Sequence, residues 1–294
     1  MGILLGLLTA LSWGSADLCA RFATRKFGTF RTMLYMQLSG FVLLTLFMPL
    51  LGGWGHLVDG SGMRPWAWGI LAGCLNTSST LALYRSFEIG KMSIVAPVSA
   101  SYPVLTMFLS MFTGERLTVV RLIGMGLTIL GVVLVARGEQ LPGDANPINP
   151  DTQPQKKNLG VGWALYSAFG FGVMFWLLGI RIVPLVGAIP SVWVIRLTSV
   201  IATALVILLA RRSLAAPAKR DTPWILGIGV LDTSAYVFNN LGMKLEQISV
   251  VSVLASLYGA VTVGLAALIL KERVSKMQWF GIVAIFAGII LISR

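Results

Sequence analysis

The segment GERLTVVRLIGMGLTILG at residues 114–131 returns at residues 271–288 as KERVSKMQWFGIVAIFAG. Glu115-Arg116, Gly124 and Gly131 are answered by Glu272-Arg273, Gly281 and Gly288, each pair 157 positions apart. An acid-base pair followed at the same spacing by two glycines in an apolar run is too specific to arise twice by chance, so the chain reads as a duplicated unit. Upstream, Ser93, Tyr102 and Thr106 match Ser249, Tyr258 and Thr262 at an offset of 156, and Pro65-Trp66 matches Pro223-Trp224 at 158. Between the copies, residues 138–158 (GEQLPGDANPINPDTQPQKKN) hold four prolines and many polar groups, which is the composition of a flexible linker outside hydrocarbon.

Composition says where the unit lives. Of 294 residues, 56% are hydrophobic and 12% charged, with a mean hydropathy of +0.83. A soluble domain carries about 25% charged residues, so a water-soluble globule is excluded. Apolar runs punctuated by Gly, Pro and charge give ten predicted helices, at 2–22, 32–51, 66–87, 92–113, 119–136, 159–180, 190–210, 223–244, 248–270 and 277–293. Ten spans of about 20 residues would use about two-thirds of the chain. The expected fold is an all-α integral membrane protein: a first five-helix repeat at 1–137, the polar linker at 138–158 and a second five-helix repeat at 159–294. The first apolar segment lacks the basic flank of a cleavable signal peptide and is read as a retained first helix.

Other chemistries are closed off. His56 is the only histidine, which excludes a multi-histidine metal centre, and neither cofactor nor metal is expected. Cys19 and Cys74 fall in apolar segments and read as buried thiols. No HExxH, GxSxG or Walker sequence occurs, so an enzyme is not indicated. The net charge of +12 is scattered in short clusters between apolar runs, which fits membrane topology and not nucleic acid.

Five helices per unit is an odd number, so the second unit enters the membrane inverted relative to the first. Inverted repeats typify secondary transporters, in which the halves exchange conformations and open a central site to either side in turn. A duplicated scaffold is the alternative, disfavoured because polar residues inside membrane helices are costly and usually functional. Of 23 Lys and Arg, 16 fall in the connections 1–2, 3–4, 5–6, 7–8 and 9–10, six on the other face, and Arg196 inside predicted helix 7. The positive-inside rule then puts the richer face in the cytoplasm and both termini outside.

The polar residues inside these helices are the site candidates. Asp232 lies midway along predicted helix 8 and has two readings: a site for a substrate ammonium or proton, or a structural pair with Arg196. Asp232, Tyr236, Asn239 and Asn240 share one helical face, and on predicted helix 3 Asn76, Thr80 and Tyr84, with Ser79 beside them, form its counterpart. Two such stripes suggest one shared cavity, with interhelical hydrogen bonding as the alternative for each residue. Helices 4 and 9 add Ser99, Tyr102 and Tyr258; helices 1 and 6 add Trp13, Trp163 and Tyr166. The expected substrate-binding set is Trp13, Asn76, Ser79, Tyr84, Ser99, Tyr102, Trp163, Tyr166, Asp232, Tyr236, Asn239 and Tyr258. Aromatic walls with a few hydroxyl and amide groups suit a neutral zwitterion with an apolar side chain. Asp17, four residues before Arg21 near the predicted end of helix 1, reads as an i, i+4 surface pair. The two acid-base turns read as helix caps or conformational latches. Pro97 and Pro103 kink predicted helix 4 where helix 9 has Val253 and Gly259, an expected asymmetry between copies.

The paired Gly114-Glu115-Arg116 and Lys271-Glu272-Arg273 elements, their glycine-bearing helices, and the small-residue stretch Ala10-Leu11-Ser12-Trp13-Gly14 resemble the drug/metabolite transporter superfamily, specifically its ten-helix EamA-type exporters. Within these the chain is most similar to YddG-type exporters of aromatic and other neutral amino acids. The resemblance covers essentially the whole chain. It implies a monomeric inner-membrane carrier in the lipid bilayer, with a central cavity lined by both repeats and amino acids such as Met, Phe, Leu and Thr as its small-molecule substrate. Four-helix multidrug members rely on a membrane-embedded glutamate, whereas Glu88 and Glu246 sit at helix ends here, which departs from a glutamate-centred exchange. A broad exporter of hydrophobic cations or toxic analogues is the alternative. A lipid-acting enzyme is opposed by the single histidine and the lack of paired acids. The charge count predicts that an alkaline phosphatase fused to the C-terminus is active and a green fluorescent protein fused there is dark; the reverse pattern overturns the orientation.

Overall fold

The computed structural model describes residues 1–51, 53–60, 62–113, 118–137, 159–211, 218, 220–245, 248–272 and 274–292. Glu115-Arg116, the linker 138–158, Glu246 and Arg273 lie outside the described residues. The described chain forms helices and connections, with no strand among the described residues. The first copy supplies α1 (Gly2–Phe27), α2 (Thr29–Phe47), α3 (Arg64–Ile89), α4 (Met92–Ser99), α5 (Pro103–Ser110) and α6 (Val119–Arg137). The second supplies α7 (Val161–Leu177), α8 (Val183–Val186), α9 (Ala188–Leu209), α10 (Thr222–Leu245), α11 (Ile248–Ser256), α12 (Tyr258–Leu265) and α13 (Lys276–Ile292). Wide π turns at Leu178–Ile182 and Ala266–Leu270 extend α7 and α12.

Helix α1 runs five residues past its expected end at 22 and stops at Gly28, whose φ of 81° suits glycine. Arg21, taken as a boundary residue because it is charged, is instead buried at 4% exposure. That shift moves Asp17 from a helix end into the helix body.

Predicted helix 4 is broken. A turn through Ala100, Ser101 and Tyr102 separates α4 from α5, and Pro103 starts α5 at a position where no backbone N–H is needed. The second copy breaks too, at Leu257, directly before Tyr258. Both broken helices are interrupted beside the matched tyrosines, over three residues (Ala100, Ser101 and Tyr102) in the first and at Leu257 alone in the second, with proline following one tyrosine and glycine the other. The glycine has a packing reason, since a Cβ on Gly259 would stand 2.7 Å from the Ala100 Cβ. The two broken helices cross at their breaks.

The packing pattern survives exchange of the two copies. Helix α1 packs on α10 as α7 packs on α3; α2 meets α10 as α9 meets α3; α1 touches α11 and α12 as α7 touches α4 and α5. Helices α2 and α9 pack on each other, and so do α6 and α13. Gly14 and Gly172 repeat the pattern in atomic detail: a Cβ would fall 2.6 Å from Val261 Cβ on the first and 2.8 Å from Leu105 Cβ on the second, residues that are 156 apart. The glycines that disclosed the duplication meet each other. A Cβ on Gly124 would stand 2.7 Å from the Gly288 carbonyl oxygen, and one on Gly131 2.6 Å from that of Gly281. Lipid tails are as apolar as leucine, so such helices associate by close backbone contact at small residues.

Seven helical stretches among the described residues are long and apolar enough to cross a membrane: 2–27, 29–47, 92–113, 119–137, 161–186, 188–209 and 253–270. Helices α3 and α10, diluted by their polar stripes, and the 17-residue α13 fall outside that set. Large apolar side chains such as Leu46, Phe112, Leu268 and Phe280 are more than two-thirds exposed, as on a surface bathed by lipid. This is a multi-pass membrane protein. At one end Lys26 pairs with Asp221 at 2.6 Å, Thr29 donates to Glu88 at 2.6 Å and Arg25 to the Gly90 carbonyl at 3.4 Å. The opposite end carries Trp54 and Trp66 packed on Trp193, with ring centroids 4.9 and 6.2 Å away.

The glycine contact makes a stability prediction. Gly131→Leu or Gly281→Leu forces α6 and α13 apart and is expected to destabilise by about 1–3 kcal/mol, read as a lower Tm of the detergent-purified protein. Gly126→Ala, with no atom within 4 Å of the added Cβ, should leave Tm unchanged.

Candidate functional site

The helix faces that the duplication brings together enclose one cavity. Its walls are Trp13 and Asp17 of α1, Thr80, Leu83 and Tyr84 of α3, Tyr102 of the α4–α5 turn, Phe171 and Phe175 of α7, Asp232 and Tyr236 of α10, and Tyr258 of α12. About 420 Å³ lies between these side chains, the space at the mouth included.

Trp13 sits at the centre of an aromatic cluster drawn from both copies. Its ring lies 5.7 Å from Phe175, 5.2 Å from Tyr236 and 5.9 Å from Tyr258, each edge to face. Tyr102 lies 4.9 Å from Phe175. Because Tyr102 and Tyr258 occupy the breaks of their helices, a change of bend there would move cavity walls directly.

The two carboxylates in the wall are unlike. Asp232 pairs with Arg196, which is fully buried and also donates to Gln37 Oε1 at 2.6 Å. The guanidinium carbon stands 5.1 Å from the Tyr236 ring centre, a cation–π arrangement. The structural-pair reading of Asp232 is thus realised, while its side chain, 17% exposed, still lines the cavity. Asp17 is 7% exposed, accepts a hydrogen bond from Thr262 at 3.3 Å and has no ion-pair partner among the described residues. The expected Asp17–Arg21 surface pair is corrected: Arg21 turns to Glu272 at 3.3 Å and to the Phe87 carbonyl. The cavity is therefore acidic, and the lining contains no lysine, arginine or histidine. No group of three His, Cys, Asp or Glu that could hold a metal occurs among the described residues.

Half of the expected site residues come together in this wall: Trp13, Tyr84, Tyr102, Asp232, Tyr236 and Tyr258. Four others stand behind it. Asn76 accepts the Tyr236 hydroxyl at 2.6 Å and donates to Ser199 at 3.1 Å, so it orients a wall residue. Ser99 and Ser167 bond at 3.1 Å and tie α4 to α7. Ser79 donates to the Leu75 carbonyl at 2.7 Å, and Asn239 to Asn240 at 3.3 Å. Trp163 and Tyr166 are not brought to the cavity; 49% and 51% exposed, they share the outer face of α7 with Phe169. The inner face of that helix carries Ser167, Phe171, Met174 and Phe175 instead. Thr80, on the expected helix-3 stripe though outside the expected binding set, also lines the wall; the residues missed are Asp17, Leu83, Phe171 and Phe175. The last two were visible as an i, i+4 continuation of Ser167, the face opposite to Trp163 and Tyr166.

The cavity is walled by helices from both halves of a multi-pass membrane bundle. The EamA-like transporter family model matches residues 1–137 and 158–294, and the chain belongs to that family. An uncharacterized protein of Methanocaldococcus jannaschii is 30% identical over 135 residues, 95% of that protein and 46% of this chain. An uncharacterized transporter of Archaeoglobus fulgidus is 34% identical over 76 residues, 26% of this chain and 28% of its own length. A crystal structure with 17% identity superposes with a TM-score of 0.69 over 99% of this chain and 95% of the other, a likeness of fold.

The buried pair generates a second prediction. Asp232→Asn leaves the Arg196 charge unmatched and is expected to cost about 3–5 kcal/mol of stability, lowering Tm. The double variant Asp232→Asn with Arg196→Gln should recover most of that loss; equal Tm values for single and double variants would show that the pair is not coupled.

Proposed function

We propose that the protein is a monomeric secondary transporter of the inner membrane that exports neutral and aromatic amino acids, such as Met, Phe, Leu and Thr, by alternating access through the central cavity. Ten helices cross the bilayer in this reading, as two inverted five-helix repeats joined by the linker, with both termini outside. The exchangeable packing pattern supports the repeats, as does the relative in Methanocaldococcus jannaschii, matched over 95% of its length by 46% of this chain.

The observation that carries the substrate reading is the aromatic wall around Trp13, built from α1, α7, α10 and α12. Trp13, Tyr84, Tyr102, Phe171, Phe175, Tyr236 and Tyr258 contact the apolar side chain, and Asp17 and Asp232 face the ammonium group. Asn76, Ser79, Ser99 and Asn239 position wall residues and neighbouring helices. A specific observation favours a second reading, export of hydrophobic cations: the wall offers carboxylates but no cation for a substrate carboxylate.

Proteoliposomes holding the purified protein test both. Flux of radiolabelled Met, Phe, Leu or Thr that persists without a pH gradient is the expected result and identifies a uniporter or exchanger. No flux for any of the four overturns amino-acid export, and flux of an aromatic monoamine in the same vesicles then moves the cation reading forward.

A further inference from the structure

We propose that Arg21 alternates between Glu272 and Asp17, and that the ammonium group of the transported solute is what displaces it from Asp17. The proposal rests on the alternating-access reading above and adds to it the residue that senses occupancy.

Glu272 is the most heavily bonded acid at the end where the connections gather. It accepts the backbone N–H of Met92 at 3.2 Å, that of Ser93 at 2.8 Å, the Ser93 hydroxyl at 2.7 Å and the Arg21 guanidinium at 3.3 Å. A carboxylate on the first N–H groups of a helix satisfies donors that have no partner within the helix and complements the positive end of its dipole. The helix so held is α4, which leads through its break to Tyr102 in the cavity wall. Glu272 belongs to the second copy, while α1 and α4 belong to the first. The contact is thus a buried latch between copies, one helical turn beyond the cavity.

Asp17 lies on that same turn. It stands four residues before Arg21 on the buried face of α1, and residues at this spacing are neighbours on a helix. Neither of the other nearby guanidiniums serves it: Arg196 is committed to Asp232 and Gln37, and Arg25 donates to the Gly90 carbonyl. An ionised carboxylate in a buried site is strongly destabilising unless a cation or proton matches it. Two acids therefore compete for one arginine. With Arg21 on Asp17, Glu272 loses a cation and α4 is released; with an ammonium group on Asp17, Arg21 returns to Glu272 and the latch closes behind the solute.

The latch can be read directly, in the full-length protein in nanodiscs, as amide hydrogen exchange of the segment around Met92 and Ser93. Glu272→Gln is expected to speed exchange there by about tenfold, the loss of charge-assisted hydrogen bonds. Asp17→Asn removes the competitor and should slow exchange below wild type, whereas Asp17→Glu should stay close to wild type. Adding phenethylamine or L-phenylalanine to wild type should slow exchange, and N-acetyl-L-phenylalanine, which lacks the ammonium group, should not. Unchanged exchange in Asp17→Asn, or an equal response to all three compounds, overturns the switch even if L-phenylalanine is transported. The full pattern in a protein that moves no amino acid supports the switch and removes only the amino-acid reading. If Asp17→Asn does not fold, the three compounds on wild type still decide.

Discussion

An ionised side chain in a low-dielectric interior must be matched by another, and around this cavity the match is incomplete. Asp232 and Glu272 are paired with Arg196 and Arg21, whereas Asp17 has no ion-pair partner among the described residues. One pair, Arg196 with Asp232, is locked from several sides by Gln37 and the Tyr236 ring. The other arginine is tied to Glu272, and the remaining acid points into the space where a solute would sit. The helix geometry follows from these commitments. Arg196 joins α9 to α10 and, through Gln37, to α2; Glu272 joins the second copy to α1 and α4.

The aromatic residues do a different task. Their rings come from both halves of the chain; those around Trp13 meet edge to face while Phe175 stacks on Tyr236, arrangements favoured by the ring quadrupole and worth about 0.5–1.5 kcal/mol per pair beyond area burial. They fill the centre of the bundle, and the Tyr236 hydroxyl finds its partner in Asn76 behind the wall. The tyrosines at the helix breaks link this wall to backbone conformation.

Much of the fold was legible because repetition is a strong signal. The paired glycines and tyrosines marked corresponding positions, and the structure brings the glycines into mutual contact and sets the tyrosines at equivalent breaks. The helix faces were half legible. Period 3.6 identifies which residues travel together, so Thr80 with Tyr84 and Asp232 with Tyr236 were grouped correctly, but it does not say which stripe turns inward. On α7 the sequence reading names Trp163 with Tyr166 and does not raise Phe171 with Phe175, which line the cavity. Glycine would have decided it, since Gly170 and Gly172 flank the inward face where Ser79 and Leu105 press close. Asp17 was misjudged because a charged residue was taken as a helix end. A buried arginine whose partner is 251 residues away leaves no local trace.

The contact between α6 and α13 also bears on how the protein is made. Helix α6 packs almost wholly on α13, and the two are separated by more than a hundred residues of chain. During synthesis α6 must therefore wait in the bilayer with its glycine groove turned to lipid while the six described helices α7 to α12 are made. Its hydropathy, level with the most apolar in the chain at 2.4, keeps it in the membrane through that interval without a protein partner. A chain that stops short of α13 leaves the glycine groove of α6 without its partner.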